Sequence, residues 1–160
     1  MVDIPWLIAH ATYDENLWIC GKLQGKHDVQ FRFAPSDPAA QPGGAGACKA
    51  TSAGWQKVAD ARKAASSPAD FDASLERELS LVVATPPSAA YPTLEAVWGA
   101  FQGCLNAASG LIFYEPVHQL YLERAFAVFA ADGIQVVELR QVLQGDIGRS
   151  KQTTPPLSNQ

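Results

Sequence analysis

The stretch YPTLEAVWGAFQGCLNAASGLIFYEPVHQLYLERAFAVFAADGIQVVELR, residues 91–140, decides the fold class of this chain. Thr93 has a side chain that suits a helix N-cap. Beyond it, apolar residues recur at a spacing that places them on one face of a helix. These residues are Leu94, Val97, Trp98, Phe101 and Leu105. The first half of the stretch therefore predicts an amphipathic helix.

The second half of the stretch predicts another helix and a strand. We expect Ser109-Gly110 to interrupt the first helix, a second helix to occupy about 117–131, and Asp132-Gly133 to end it. The apolar run 134–139 is typical of a strand that is buried on both faces. A helix, a turn and a buried strand indicate an α/β fold, in which the strand's partners lie elsewhere.

The upstream half of the chain predicts shorter elements. Residues 3–12 have the apolar spacing of a short helix. Residues 17–33 combine a short apolar run with an alternating one, which predicts a hairpin of strands. Residues 34–54 are rich in Pro, Gly, Ala and Ser and predict a loop. Two helices should follow, one over 54–65 and one defined by Phe71, Leu75, Leu79 and Val82.

Length and composition indicate one ordinary domain. The chain has 160 residues, of which 48% are hydrophobic, so a real core can form. A net charge of −4 without a basic face argues against nucleic-acid binding. No apolar run approaches the roughly 20 residues of a membrane span, and the opening MVDIPWLIAH does not have the pattern of a signal peptide. The polar, Pro-rich residues 148–160 are expected to be disordered.

The residue patterns alone do not indicate an active site. His10, His27 and His118 do not form HxH, HxxxH or HExxH spacings, and the sequence contains no GxSxG or phosphate-binding glycine motif. Glu138 and Arg140 flank the end of the last predicted strand, either as an ion pair, which we favour, or as functional residues of a barrel edge. The three cysteines are either buried thiols or one disulfide and one free thiol.

Several separate blocks of the sequence, in one order, resemble a known family. They are Trp6-Leu7, Thr12-Tyr13, Ile19-Cys20, Gln30-Phe31-Arg32-Phe33-Ala34, Trp98 with Phe101, Ser109-Gly110-Leu111-Ile112, Tyr114 with Pro116-Val117, Asp132, and Glu138 with Arg140. This pattern is similar to that of the adenosine deaminase-related growth factors, which are secreted zinc adenosine deaminases. The resemblance covers nearly everything from Ile4 to Arg140.

The resemblance implies an α/β fold, namely an incomplete, internal N-terminal segment of a TIM-type (β/α)8 barrel. It also implies that the barrel carries an inserted small α+β domain, mostly helical with a short hairpin. Residues 1–12 would end the first barrel unit and 13–83 would form the inserted domain. Residues 84–147 would supply barrel helices and the second barrel strand, ahead of the tail at 148–160.

The family's activity is the hydrolytic conversion of adenosine to inosine and ammonia with one zinc ion. Its metal ligands and proton-transferring residues would lie before Met1 and after Arg140, so we expect no catalytic or metal-binding residue in this chain and no activity from it alone. The alternative is a non-catalytic binding or dimerisation module derived from the inserted domain. The implied partners are adenosine or 2′-deoxyadenosine, a cell-surface receptor or glycan, and a second copy of the chain, in an extracellular setting.

The resemblance also assigns residues. Trp98, Phe101, Gln102 and Leu105 would line the nucleoside pocket, with three of them forming an apolar wall for the purine. The simpler alternative is that these side chains face the core of this chain, which we expect of the chain on its own. Cys20 and Cys48 match the family's disulfide. Without the rest of a barrel, the apolar faces of 92–108, 117–131 and 134–139 should remain partly exposed.

Overall fold

The computed structural model describes residues 3–40, 48 and 54–139 and is a mixed α/β, mostly helical fold. Its elements are α1 (Ile4–Ala11), β1 (Leu17–Cys20), β2 (Gln30–Phe33), β3 (Trp55–Lys57), α2 (Val58–Ala64), α3 (Pro68–Leu79), α4 (Pro87–Ala90), α5 (Leu94–Ile112) and α6 (Glu115–Ala131). A short 3-10 turn, Pro38–Ala40, lies within the predicted loop 34–54. The predicted helix over 3–12 and the predicted hairpin are confirmed.

The three strands form one antiparallel sheet in the order β2-β1-β3. Ile19 in the central strand lies opposite Phe31 of β2 and Gln56 of β3. Leu17 and Ile19 are buried, whereas Trp18 between them is only partly buried and belongs to the other face. The sheet thus presents one apolar face to the helices, which is the usual arrangement for a small antiparallel sheet.

The prediction of one helix over 54–65 is wrong in its first part. Gly54 has a positive φ of 78°, and the chain then runs through β3, which pairs with β1, before α2 begins at Val58. Three paired residues are too few to show the period of two that is typical of a strand. The pairing with β1 therefore determines the secondary structure of this segment. The next helix also ends earlier than predicted, at Leu79, and Val82 lies beyond it with 84% of its surface exposed.

The predicted break at Ser109-Gly110 is also wrong, because α5 continues to Ile112. The Ser109 hydroxyl donates a hydrogen bond to the Leu105 carbonyl at 2.7 Å, within the helix. A Cβ on Gly110 would collide with the carbonyl oxygen of Phe31 in β2. This glycine therefore allows α5 to approach the sheet closely and does not end the helix.

The predicted strand over 134–139 does not form, although α6 ends as predicted at a glycine of positive φ, Gly133. Residues 134–139 have no regular structure, and Val136 is 86% exposed. A strand requires a neighbour for its backbone groups, and within residues 3–40, 48 and 54–139 none lies beside this segment. The apolar run alone therefore did not determine the structure of this segment.

One hydrophobic cluster holds the described elements together. It contains Leu7, Ile8, Ala11, Leu17, Ile19, Val29, Phe31, Val58, Phe71, Leu75, Leu79, Ala107, Ala108, Leu111 and Val117. The cluster joins α1, the sheet, α3 and α5, so residues from the predicted segments 1–12, 13–83 and 84–147 share it. The boundaries of these segments stay a prediction, and the predicted tail 148–160 lies outside the described residues.

Candidate functional site

The exposed side of α5 is the candidate site, and we call it the α5 face. Thr93 caps the helix by accepting a hydrogen bond from the Ala96 amide at 3.1 Å, as its sequence position predicts. The α5 face consists of Leu94, Val97, Trp98, Phe101 and Leu105. Trp98 is 59% exposed and Phe101 37%, so the expectation that these side chains face the core of this chain is wrong. The expected partial exposure of this apolar helix face is confirmed.

Two rings dominate the α5 face. The ring centroids of Trp98 and Phe101 lie 5.5 Å apart with their planes inclined by 41°, an arrangement within the preferred range for aromatic pairs. Leu105 continues the same face, and Gln102 beside them is partly buried. The four residues predicted to line a nucleoside pocket are thus adjacent on one helix, three of them forming an apolar wall. Their role in substrate binding stays a prediction.

The C-terminal half of α5 packs against the sheet, with Gly103 and Gly110 nearest to it. Cys104, Ala107, Ala108 and Leu111 are buried there. Two glycines bring the helix close to the hairpin: a Cβ on Gly103 would collide with the carbonyl oxygen of His27, and one on Gly110 with that of Phe31. The position of the α5 face is therefore fixed by backbone contacts on its reverse side.

A buried polar cluster lies behind the α5 face, and sequence reasoning missed it. Glu78, at the end of α3, is fully buried, and its carboxylate accepts hydrogen bonds from the backbone amides of Gly25 and His27, the latter at 2.8 Å. The His27 ring donates from Nδ1 to the Glu78 carbonyl oxygen at 2.9 Å. The Sγ atom of Cys104 lies 3.3 Å from that Nδ1 and 3.5 Å from that oxygen. We call these three residues the Glu78 junction.

The Glu78 junction keeps its thiol protonated. Burial, followed by the negative charge of Glu78, raises the pKa of Cys104. A thiol that is buried and neutral behaves as a small packing group and not as a nucleophile. No local pattern could have revealed the junction, because Glu78 and His27 are 51 positions apart in the sequence.

The structure contains the disulfide between Cys20 and Cys48, whose Cα atoms lie 5.5 Å apart, and it leaves Cys104 as a buried free thiol. Of the two alternatives that the cysteine count left open, the structure has one disulfide and one free thiol. The bridge links the end of β1 to a residue 28 positions further along the chain.

Arg62 forms a second polar cluster that the sequence did not reveal. Its guanidinium donates to the Thr12 carbonyl at 2.9 Å and to an Asp72 carboxylate oxygen at 2.9 Å, and it lies 3.9 Å from the Tyr13 ring centroid. The Tyr13 hydroxyl donates to the same carboxylate at 2.6 Å, and this hydrogen bond is the main cause that raises the pKa of Tyr13. The cluster connects the end of α1 with α2 and α3.

The histidines do not converge on a metal site. His10 lies on α1, where its ring stacks on Trp6 at 4.2 Å, His27 belongs to the Glu78 junction, and His118 lies on α6. Within the part of the chain that the structure describes, no group of three His, Cys, Asp or Glu side chains could hold a metal ion. The described residues therefore do not fit a zinc site. Glu138 lies in the irregular segment after α6, and its predicted partner Arg140 lies outside the described residues.

No single helix of the described residues is both long and apolar enough to cross a membrane. The helices α5 and α6 meet that standard of length and composition only when taken together, and they are bent by 112° where they join.

Comparison with known proteins finds relatives that are named adenosine deaminase. No protein-family model matches it. It is 32% identical over 143 residues to adenosine deaminase 2-A of Danio rerio and 31% identical over 140 residues to adenosine deaminase 2 of Homo sapiens, covering 89% and 88% of this chain. Adenosine deaminase 2 of Dictyostelium discoideum matches at 28% over 138 residues, which cover 86% of the chain.

These matches confirm the resemblance to the growth-factor-related adenosine deaminases. By sequence, the chain belongs to the adenosine deaminase 2 family. It spans about a quarter of the length of the curated relatives it matches, 26% of the Danio rerio protein and 25% of the human one.

Proposed function

We propose that the chain is a segment of a zinc-dependent adenosine deaminase, which hydrolyses adenosine to inosine and ammonia, and that it is inactive alone. The observation that carries the proposal is its similarity, over most of its length, to proteins named adenosine deaminase. In this reaction water supplies the oxygen that replaces the amino group of the purine, and that group leaves as ammonia. The substrate of the intact enzyme is then adenosine or 2′-deoxyadenosine.

In this proposal the chain contributes one wall of the nucleoside pocket. The rings of Trp98 and Phe101 and the side chain of Leu105 give an apolar surface that suits the faces of a purine, and the Gln102 amide can both donate and accept hydrogen bonds. The α5 face supports this role because it is exposed, and a contiguous exposed apolar patch usually marks a binding surface.

The metal and the proton-transferring groups would come from the remainder of the intact protein. A catalytic zinc site requires three protein ligands and an open position for water, and residues 3–40, 48 and 54–139 offer no such group. General acid–base catalysis contributes about 10²–10⁴-fold to a rate, so its loss together with the metal leaves the isolated chain inactive.

Under the proposed function, the irregular segment 134–139 also has a structural role. In the intact protein it would be the second strand of a TIM-type barrel, paired with strands outside this chain, and α5 and α6 would be barrel helices. Residues 13–83 would form the inserted small domain, a site for a receptor, a glycan or a second copy. The Cys20–Cys48 disulfide supports an oxidising, extracellular setting, because disulfides persist there.

The test replaces the matched segment of the Danio rerio protein with residues 3–139 of this chain and follows adenosine consumption and zinc content. We expect this hybrid to bind zinc and to deaminate adenosine, and we expect the isolated chain to do neither. In the hybrid, Trp98→Ala should raise KM for adenosine, whereas Lys63→Ala, at an exposed position of α2, is the control and should leave KM unchanged. Deamination by the isolated chain would contradict its inactivity, and an unchanged KM for Trp98→Ala would contradict the pocket assignment.

A further inference from the structure

The Glu78 junction contacts α5, the helix that carries the α5 face, at Gly103 and Cys104. Cys104 and Gly103 belong to the same stretch of α5 as Trp98, Phe101 and Leu105. Gly103 lies on the opposite side of the helix from these three side chains, and Cys104 is buried at the edge between the two sides. Cys104 is buried against His27, and Gly103 lies directly on the His27 carbonyl oxygen. The placement of the α5 face thus depends on where His27 is held.

His27 in turn is held by Glu78. Its backbone has a φ of 55°, in the left-handed region that non-glycine residues seldom adopt. Both the backbone amide and the ring of His27 hydrogen bond to Glu78, and the neighbouring Gly25 amide bonds to the same carboxylate. A fully buried carboxylate has high desolvation costs, which these bonds offset. The connection between β1 and β2 is therefore fixed to α3 through one residue, by two bonds to its side chain and one to its backbone.

We infer that Glu78 is a positioning residue for the substrate pocket: through His27 and Cys104 it sets the place of the stretch Trp98–Leu105. This inference rests on the proposed function, in which that stretch contacts the nucleoside. It links the β1–β2 connection, part of the predicted inserted domain, to the pocket wall. Glu78 does not touch the substrate or the reacting atoms.

The first test uses the full 160-residue chain and needs no catalysis. Glu78→Gln keeps the shape of the side chain but replaces one acceptor with a donor that faces an amide donor. Hydrogen exchange should rise about tenfold or more at the amides of both 21–29 and 98–105, because bonds to a buried charged group are worth about 1.5–3 kcal/mol. Glu76→Gln is the matched control, since Glu76 is exposed on the same helix, and it should change neither segment.

A second variant separates positioning from general loss of stability. Cys104→Ala removes the thiol contact from the α5 side and leaves Glu78 and its bonds to the β1–β2 connection. Exchange should then rise at 98–105 and remain unchanged at 21–29. The inference fails if Glu78→Gln loosens only 21–29, or if exchange rises equally in every helix of the chain.

The enzymatic test uses the hybrid described above. Glu78→Gln should raise KM for adenosine several-fold and leave kcat and bound zinc nearly unchanged, because a displaced pocket wall weakens binding without touching the chemistry. A fall in kcat at constant KM would overturn the inference. If the hybrid without further change shows no deamination, the proposed function fails, while the exchange experiment still decides whether Glu78 fixes the α5 stretch.

Discussion

Two glycines of α5 should respond in opposite directions to the same substitution. Alanine stabilises an exposed helix position by about 0.8–1.0 kcal/mol relative to glycine. At Gly99 an added Cβ would find no atom within 4 Å, so Gly99→Ala should gain nearly this whole amount. At Gly110 the same Cβ would collide with the Phe31 carbonyl oxygen and would lie 3.1 Å from the Phe31 carbonyl carbon.

The collision at Gly110 should outweigh the helix propensity. Overpacking a tightly packed site costs typically about 1–3 kcal/mol, and here the obstacle is the backbone of a paired strand, which cannot rotate away. Gly110→Ala should therefore lower the free energy of unfolding by up to about 2 kcal/mol after the propensity gain of about 1 kcal/mol is subtracted. The difference between the two variants is then the overpacking cost itself, about 1–3 kcal/mol.

Urea denaturation followed by far-UV circular dichroism measures both variants against the parent chain. The midpoint should increase for Gly99→Ala and decrease for Gly110→Ala, with m-values that remain the same. If Gly110→Ala proved as stabilising as Gly99→Ala, α5 would not lie against the Phe31 carbonyl, and the account of its continuation through Ser109-Gly110 would be refuted.

Three further predictions concern the cysteines and Arg62. Cys20→Ser should lower the free energy of unfolding by about 3–4 kcal/mol, the loop-closure value for a bridge of this span. Thiol titration of the unfolded, unreduced parent chain should find one reactive thiol, and three reactive thiols would contradict the bridge. Arg62→Met should destabilise the chain by about 2–3 kcal/mol, because it leaves the Asp72 carboxylate without its ion pair. The control Lys63→Met, at an exposed position, should have almost no effect on stability. Equal effects of the two substitutions would contradict the role of the Arg62 cluster. Because the pKa of Cys104 is raised in the folded chain, its contribution to stability should be complete below the ordinary thiol pKa of about 8.5 and should be lost as pH rises above it. Comparison with Cys104→Ala between neutral and alkaline pH checks this sign, and a contribution that grew with pH would contradict it.

The long helices were readable from the sequence, because α5 and α6 repeat apolar residues over many turns and because Thr93 and Gly133 have the chemistry of a cap and a stop. The errors arose where a distant partner decides the local structure. Trp55 begins a strand only because β1 lies beside it, and the glycine at 110 allows the close approach of the Phe31 carbonyl and does not mark the end of a helix. Residues 134–139 have the composition of a strand but no neighbour within the described ranges.

The candidate site was likewise predictable from the sequence only in part. The apolar spacing of Trp98, Phe101 and Leu105 placed them on one helix face, and the resemblance suggested their role. Their exposure could not be derived from spacing, since an apolar face is expected to turn inward until the packing partner is known. The Glu78 junction gave no local signal, because a single glutamate on a helix is ordinarily solvated.

Because the hydrophobic cluster is shared, the predicted inserted domain cannot be excised without losing part of its packing. A peptide cut at 13 and 83 would retain the sheet and α3, but it would lose Leu7 and Ile8 from α1 and Leu111 from α5, which complete their packing. Such a peptide would expose the apolar side of the sheet to water and is not expected to keep the native arrangement. A graft intended to transfer a binding surface from this region should therefore begin at Asp3 and extend through the end of α5.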